Sequence, residues 1–227
     1  MVATVIFDMD DTLYDEVDYC RSGFRAASWF ISQIPDTPDA ETIFNCLWEE
    51  FSGGNWKTTF NAAFESLGIV YDEKLIESAV EAYRSHKPQI SLPAETAEVL
   101  DKLSEKYKLA LITDGFLPGQ KLKVRALGIE KYFKCIVYTE ELGREFWKPS
   151  PRGFETILEK LKEKAEMCVY VADNEKKDFI APNKLGIRTI QLIRPVRLHT
   201  KESPNSDGKA EFVIKKITEL AGLLEKL

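Results

Sequence analysis

Val2-Ala3-Thr4-Val5-Ile6-Phe7-Asp8-Met9-Asp10-Asp11-Thr12-Leu13 is the stretch that decides the fold. An apolar, β-branched run reads as a buried strand, and three carboxylates with a threonine follow it directly. In an open α/β sheet ligands bind at the carboxyl ends of the strands, so these acids stand at the binding edge. Alternate residues Asp8 and Asp10 can face one site only where the chain turns just after the strand. An acidic turn is ordinary in itself, because Asp and Thr are common turn residues. The reading therefore depends on complementary groups at later strand ends.

Beyond Leu13 the pattern turns helical, with apolar residues recurring through Val17, Phe24, Ala27, Trp29, Phe30 and Ile31, and it stays helical to about residue 86. Turns at Pro35-Asp36-Thr37-Pro38, Ser52-Gly53-Gly54-Asn55 and Leu67 to Asp72 divide this segment into about four helices, enough for a small bundle. Its many aromatic residues at helical spacing are expected to be mostly bundle core. From Pro88 onward strands alternate with helices. Strands are expected at Lys108–Ile112, Phe133–Tyr138, Met167–Val171 and Arg188–Ile193. Helices are expected from Pro93 to about Tyr107, through Leu122 to Leu127 as far as Gly128, from Ser150 to about Lys164, and up to Leu185. Alternation of this kind implies a parallel sheet. Residues 195–209 read as a mobile polar loop, Glu211–Ile214 as a short strand, and Ile217–Leu227 as a terminal amphipathic helix. The expected fold class is α/β, a Rossmann-like parallel-sheet core (1–15 and 87–227) interrupted by a helical-bundle domain (16–86).

The formal charge of −6 and the pI near 5.2 argue against nucleic acid or an anionic membrane as a partner, since both need a basic face. No apolar stretch approaches the length of a membrane span, and Asp8 and Asp10 interrupt the region where a signal peptide would stay apolar. A cytoplasmic monomer or homodimer is expected. Cys20, Cys46, Cys135 and Cys168 are scattered without a CxxC pair and read as buried thiols.

Four strand ends carry polar groups: Asp8, Asp10 and Thr12; then Thr113; then Lys148; then Asp173 with Asp178. Strand ends of a parallel sheet share one edge, so these residues can converge. Hard oxygen ligands for a divalent cation, with hydroxyl and cationic donors for a phosphoryl group, suit phosphoryl transfer.

In order and in strand context these motifs resemble those of the haloacid dehalogenase superfamily: Asp8-Met9-Asp10-Asp11-Thr12, Ile112-Thr113-Asp114-Gly115, Trp147-Lys148-Pro149 and Val171-Ala172-Asp173 with Asp178. The resemblance spans residue 1 to about 193, and Ala172 stands where relatives usually carry Gly. It implies that Asp8 is the nucleophile, forming an aspartyl-phosphate, and that Asp10 is the general acid and base. Thr113 and the backbone N–H groups of Asp114 and Gly115 would bind phosphoryl oxygens, and Lys148 would balance their charge. Asp8, the backbone carbonyl of Asp10 and Asp173 would hold Mg²⁺. Asp178 would either reach the metal through water or hold Lys148. Asp11 would stabilise the turn.

The helical insertion falls where this family places a cap, which can close on substrate and exclude water. Within it Ser52 to Lys57 reads either as a plain interhelix turn or as a loop dipping into the site, with Asn55, Trp56 and Lys57 as substrate contacts. The implied function is a Mg²⁺-dependent phosphatase acting on a small phosphorylated metabolite. A phosphomutase of the same superfamily would use the same Asp8 and Asp10. Asp10 speaks against a metal-independent dehalogenase, and the large helical insertion against a non-enzymatic phospho-acceptor domain.

Overall fold

Parallel hydrogen bonding joins β1 (Thr4–Phe7), β2 (Lys108–Thr113), β3 (Cys135–Tyr138), β4 (Cys168–Ala172), β5 (Arg188–Leu192) and β6 (Phe212–Ile214) in the order β3-β2-β1-β4-β5-β6. The structure is a computed structural model, and it describes residues 2–200, 203 and 206–227. All four residues of β1 are buried, as their apolar run requires of a central strand covered on both faces. Phe7 pairs with Leu111 on one side and Val171 on the other. The chain moves outward through β2 and β3 on one flank and through β4, β5 and β6 on the other. Strand order therefore reverses at β1, and Asp8 opens onto the crevice that such a reversal creates.

The chain divides into two compact units, Asp18–Ile90 and the remainder up to Val17 and from Ser91. The division falls a few residues later at each end than the sequence pattern placed it. Four helices build the first unit: α1 (Glu16–Ile31), which starts just before the boundary, α2 (Ala40–Ser52), α3 (Thr59–Leu67) and α4 (Glu73–Ser85). Phe24, Phe51, Phe60 and Phe64 are buried there, and Phe24 lies 5.0 Å, centroid to centroid, from Tyr83. Gly23 on α1 makes room for that tyrosine, since a Cβ on it would stand 2.6 Å from the Tyr83 ring. Trp29 is 65% exposed and so lies outside that core, and Trp56, in the Ser52 to Lys57 turn, is 47% exposed.

The second unit adds α5 (Ala94–Lys106), α6 (Gly119–Leu127), α7 (Arg152–Leu161), α8 (Ile180–Leu185) and α9 (Leu220–Leu224) to the sheet. One part of its core gathers Ile6, Ile112, Phe154, Tyr170 and Phe179. α7 stops three residues short of the expected Lys164, because Lys162 takes a left-handed conformation with φ of 54°. The expected terminal helix opens instead as a 3₁₀ turn over Ile217–Glu219, which leaves α9 short. β3 begins at Cys135, two residues after the expected Phe133. Residues 201, 202, 204 and 205 of the expected mobile loop lie outside the described residues, and neighbouring parts of that loop are hydrogen-bonded to the sheet edge. Cys20, Cys135 and Cys168 are buried thiols, whereas Cys46 is only partly covered. Among the described residues no helix is long and apolar enough to cross a membrane.

Candidate active site

Asp8 leaves β1 with its amide hydrogen-bonded to the Val171 carbonyl at 2.9 Å, so the ladder with β4 extends to the first acid of the motif. Asp11 then takes a left-handed φ of 54°, and its carboxylate accepts the Glu16 amide at 2.9 Å and the Leu198 amide at 2.6 Å. A non-glycine residue in that region needs local hydrogen bonding to hold it, and Asp is among the residues that tolerate it best. This is the turn that lets Asp8 and Asp10 address one site. Gly115, with φ of 137°, performs the corresponding bend after β2, where a Cβ would meet the Gln120 side chain at 2.7 Å.

The centre of the site is the Lys148 ammonium. It lies 2.6 Å from Asp8 Oδ1 and 2.7 Å from Asp178 Oδ1, and it donates to the Tyr170 hydroxyl at 3.1 Å. Asp178 Oδ2 accepts the Asn174 amide at 3.0 Å, so both its oxygens are engaged. Asp8, Asp173 and Asp178 each present a carboxylate oxygen, and these three atoms all lie within 4.8 Å of one another. Asp173 Oδ2 is buried with no hydrogen-bond partner. Burial, opposed by Lys148 and reinforced by Asp178, pushes the Asp8 carboxyl up to about 7. Burial, with Asp178 and Asp8 nearby, raises Asp173 well above the usual carboxylate range. A cluster of acids held this way favours either a proton or a cation.

Residues 5–192 match the haloacid dehalogenase-like hydrolase family. The chain belongs to that family. It is 30% identical to the glyceraldehyde 3-phosphate phosphatase of Methanopyrus kandleri over 233 residues, covering 100% of this chain and 99% of that one. The enzyme of the same name from Methanocaldococcus jannaschii is 28% identical, with 100% and 99% covered. Among solved structures, the HAD-hydrolase YfnB of Bacillus subtilis, in a magnesium-bound crystal form, superposes with a TM-score of 0.71 at 22% identity, covering 98% of each chain. That likeness concerns the fold, a Rossmann-like core with a helical insertion. The chain is a hydrolase of phosphatase type.

The sequence motifs of this hydrolase account for only part of what surrounds Asp10. Its Oδ1 accepts from Lys123 Nζ at 2.8 Å and from the Tyr14 hydroxyl at 2.6 Å, and its Oδ2 accepts from Gln120 Nε2 at 2.8 Å. Burial alone would raise its pKa, but Lys123 and these hydrogen bonds outweigh burial and hold the carboxyl below its usual range. Gln120 Nε2 also donates to Thr113 Oγ1 at 2.6 Å. The Asp114 side chain turns to the Thr139 hydroxyl at 2.8 Å and to the Lys148 amide, where it fixes the chain that carries the lysine. Lys177 lies 3.5 Å from Asp114 Oδ2 and lines a cavity of about 80 Å³ with Asp8, Asp10, Glu16, Asp114, Asp173 and His199.

Tyr14, Gln120, Lys123, Tyr170, Lys177 and His199 belong to none of the four sequence motifs. One signal was available: the buried stripe Gln120, Lys123, Val124 and Leu127 on α6 carries a polar pair where an apolar face is the rule. In the helical unit, Asn55 bonds locally to Glu50 and Thr58, and the Trp56 indole donates to the Phe51 carbonyl. Trp56 and Lys57 line a separate cavity of about 210 Å³ together with Phe24, Phe60, Tyr83 and Arg84, and Asn55 is not part of that wall.

Proposed function

We propose that this hydrolase is a Mg²⁺-dependent phosphatase that releases phosphate from a small phosphorylated metabolite through an aspartyl-phosphate on Asp8. The observation that carries the reading is Lys148, buried between Asp8 and Asp178 with the unpartnered oxygen of Asp173 close by. A divalent cation fits this donor set, because it would satisfy Asp173 Oδ2 and offset carboxylates that one lysine does not neutralise. Asp8 and Asp173 would hold it with the backbone carbonyl of Asp10, whereas Asp178 is assigned to Lys148. When bound, Mg²⁺ neutralises charge on the phosphoryl oxygens and lowers the repulsion that an incoming carboxylate meets.

Asp8 attacks phosphorus through a carboxylate oxygen, and the bond to the leaving oxygen breaks. Lys148 fixes Asp8 and receives phosphoryl charge, and the Thr113 hydroxyl with the Asp114 and Gly115 amides would line the phosphoryl pocket. Asp10 gives the departing alkoxide the proton that it gains from water in the second half of the cycle. Water then attacks phosphorus, Asp10 takes its proton, and phosphate leaves with Asp8 restored. The ionised Asp10 held by Lys123, Tyr14 and Gln120 corresponds to the base of this second half. The helical unit is assigned as the cap, with Trp56 and Lys57 as candidate specificity residues.

The near full-length similarity to two glyceraldehyde 3-phosphate phosphatases supports a triose phosphate as the first substrate to test. The experiment is phosphate release from an aryl phosphate and from a panel of triose, sugar and nucleoside monophosphates, with Mg²⁺ and with chelator. Turnover that needs Mg²⁺ is expected. Full turnover under chelation would contradict the reading.

A further inference from the structure

After β5 the chain turns across the acidic edge of the sheet and is tied to it at several points. Arg194 pairs with Asp15 at 2.8 Å, and Arg197 donates to the Asp173 carbonyl at 3.3 Å. The Leu198 amide donates to Asp11 Oδ2 at 2.6 Å, and the Ser203 amide to Glu175 Oε2 at 3.0 Å. Asp11, Asp15 and Asp173 belong to the first and last acidic motifs or follow them closely, so this strap is fastened to the elements that carry the chemistry. Its fastening brings His199 into the wall of the cavity formed by Asp8, Asp10, Glu16, Asp114, Asp173 and Lys177.

All seven of those lining side chains are ionisable. Anionic phosphoryl oxygens are matched by the lysines, Lys177 in the wall and Lys148 beside Asp8. An imidazole, offering one N–H and one lone pair when neutral, is matched instead by a hydroxyl or carbonyl oxygen. An alkyl leaving group offers an imidazole no hydrogen bond, whereas a hydroxyl or carbonyl oxygen does. We propose that the strap 194–199 is part of the active site and that His199 contacts substrate, hydrogen-bonding a hydroxyl or carbonyl oxygen near the phosphoester. The enzyme would thereby favour hydroxylated phosphomonoesters over alkyl ones. This inference rests on the phosphatase reading above and adds a determinant of specificity that lies outside the helical unit.

Two non-hydrolysable probes test it without turnover: 3,4-dihydroxybutylphosphonate and butylphosphonate, titrated calorimetrically with Mg²⁺ into wild type, His199→Ala and His199→Gln. One added hydrogen bond should make the dihydroxy probe bind wild type about fivefold more tightly. In His199→Ala that preference should disappear while butylphosphonate affinity stays within about twofold, and Gln, with both a donor and an acceptor, should restore part of it. The chain has two histidines, His86 and His199, and only the His199 ring resonances should shift with the dihydroxy probe. A preference absent in wild type or unchanged in His199→Ala, or an equal loss for both probes, overturns the inference. Phosphatase turnover alongside an unchanged preference overturns the inference alone. A wild type that binds neither probe and hydrolyses no phosphomonoester overturns both it and the proposed function.

Discussion

Lys148 is shared between two buried carboxylates, so its removal strands both. Lys148→Ala should cost about 3–5 kcal/mol in denaturant unfolding and abolish turnover, because an unpaired buried charge is far more expensive than the pair. A variant that melts like wild type would contradict the distances of 2.6 and 2.7 Å to Asp8 and Asp178. Lys123 acts on Asp10 in the same way. Lys123→Met should raise the Asp10 pKa, moving the Asp10-controlled limb of the pH–rate profile to higher pH, and an unmoved limb would remove Lys123 from the machinery. Asp8, Thr113, Lys148 and Asp173 were legible because each stands at or after the end of an apolar strand, where side chains meet ligands rather than core. Tyr170 was hidden because it lies within β4 and reads as packing, and its hydroxyl reaches Lys148 from the core side. His199 was hidden in a polar loop whose attachment to Asp11 depends on a backbone amide, which no side-chain pattern records.

Among the elements, β1 and its neighbours follow directly from apolar runs, and the helical insertion from its spacing. Boundaries depended on single backbone conformations. α7 ends where Lys162 turns left-handed, a position that glycine would occupy without steric cost. Lys162→Gly should stabilise by about 1 kcal/mol and raise Tm by about 2–4 °C with kinetics unchanged. A lower Tm would mean that the lysine side chain contributes more than the backbone strain costs. α6 shows the other limit of pattern reading: its polar pair Gln120 and Lys123 faces the site, and an apolar-stripe search passes over it.

Over the whole molecule the formal net charge is −6, and Asp8, Asp10, Glu16, Asp114 and Asp173 gather around one cavity, so pH should act there. Asp8 is raised to about 7 and Glu16 to about 8, so the folded chain keeps protons that the unfolded chain has already lost above its ordinary carboxylate pKa. The native state then binds more protons than the unfolded state, and stability falls as pH rises through this window. With chelator present, Tm should decline from about pH 5 to about pH 8, and Mg²⁺ should raise Tm more at the alkaline end, where its ligands are ionised. A Mg²⁺ effect equal at both ends would contradict the cation site at Asp8 and Asp173.

The proposed mechanism requires a covalent bond between phosphorus and one carboxylate, that of Asp8. Turnover of an aryl phosphate with Mg²⁺, quenched during the steady state, reduced with borohydride and mapped by peptide mass spectrometry, tests it most directly. Reduction of an acyl phosphate converts aspartate to homoserine, and the prediction is homoserine at position 8 and nowhere else. Turnover that leaves Asp8 unmodified, together with full activity in Asp8→Asn, would contradict the mechanism.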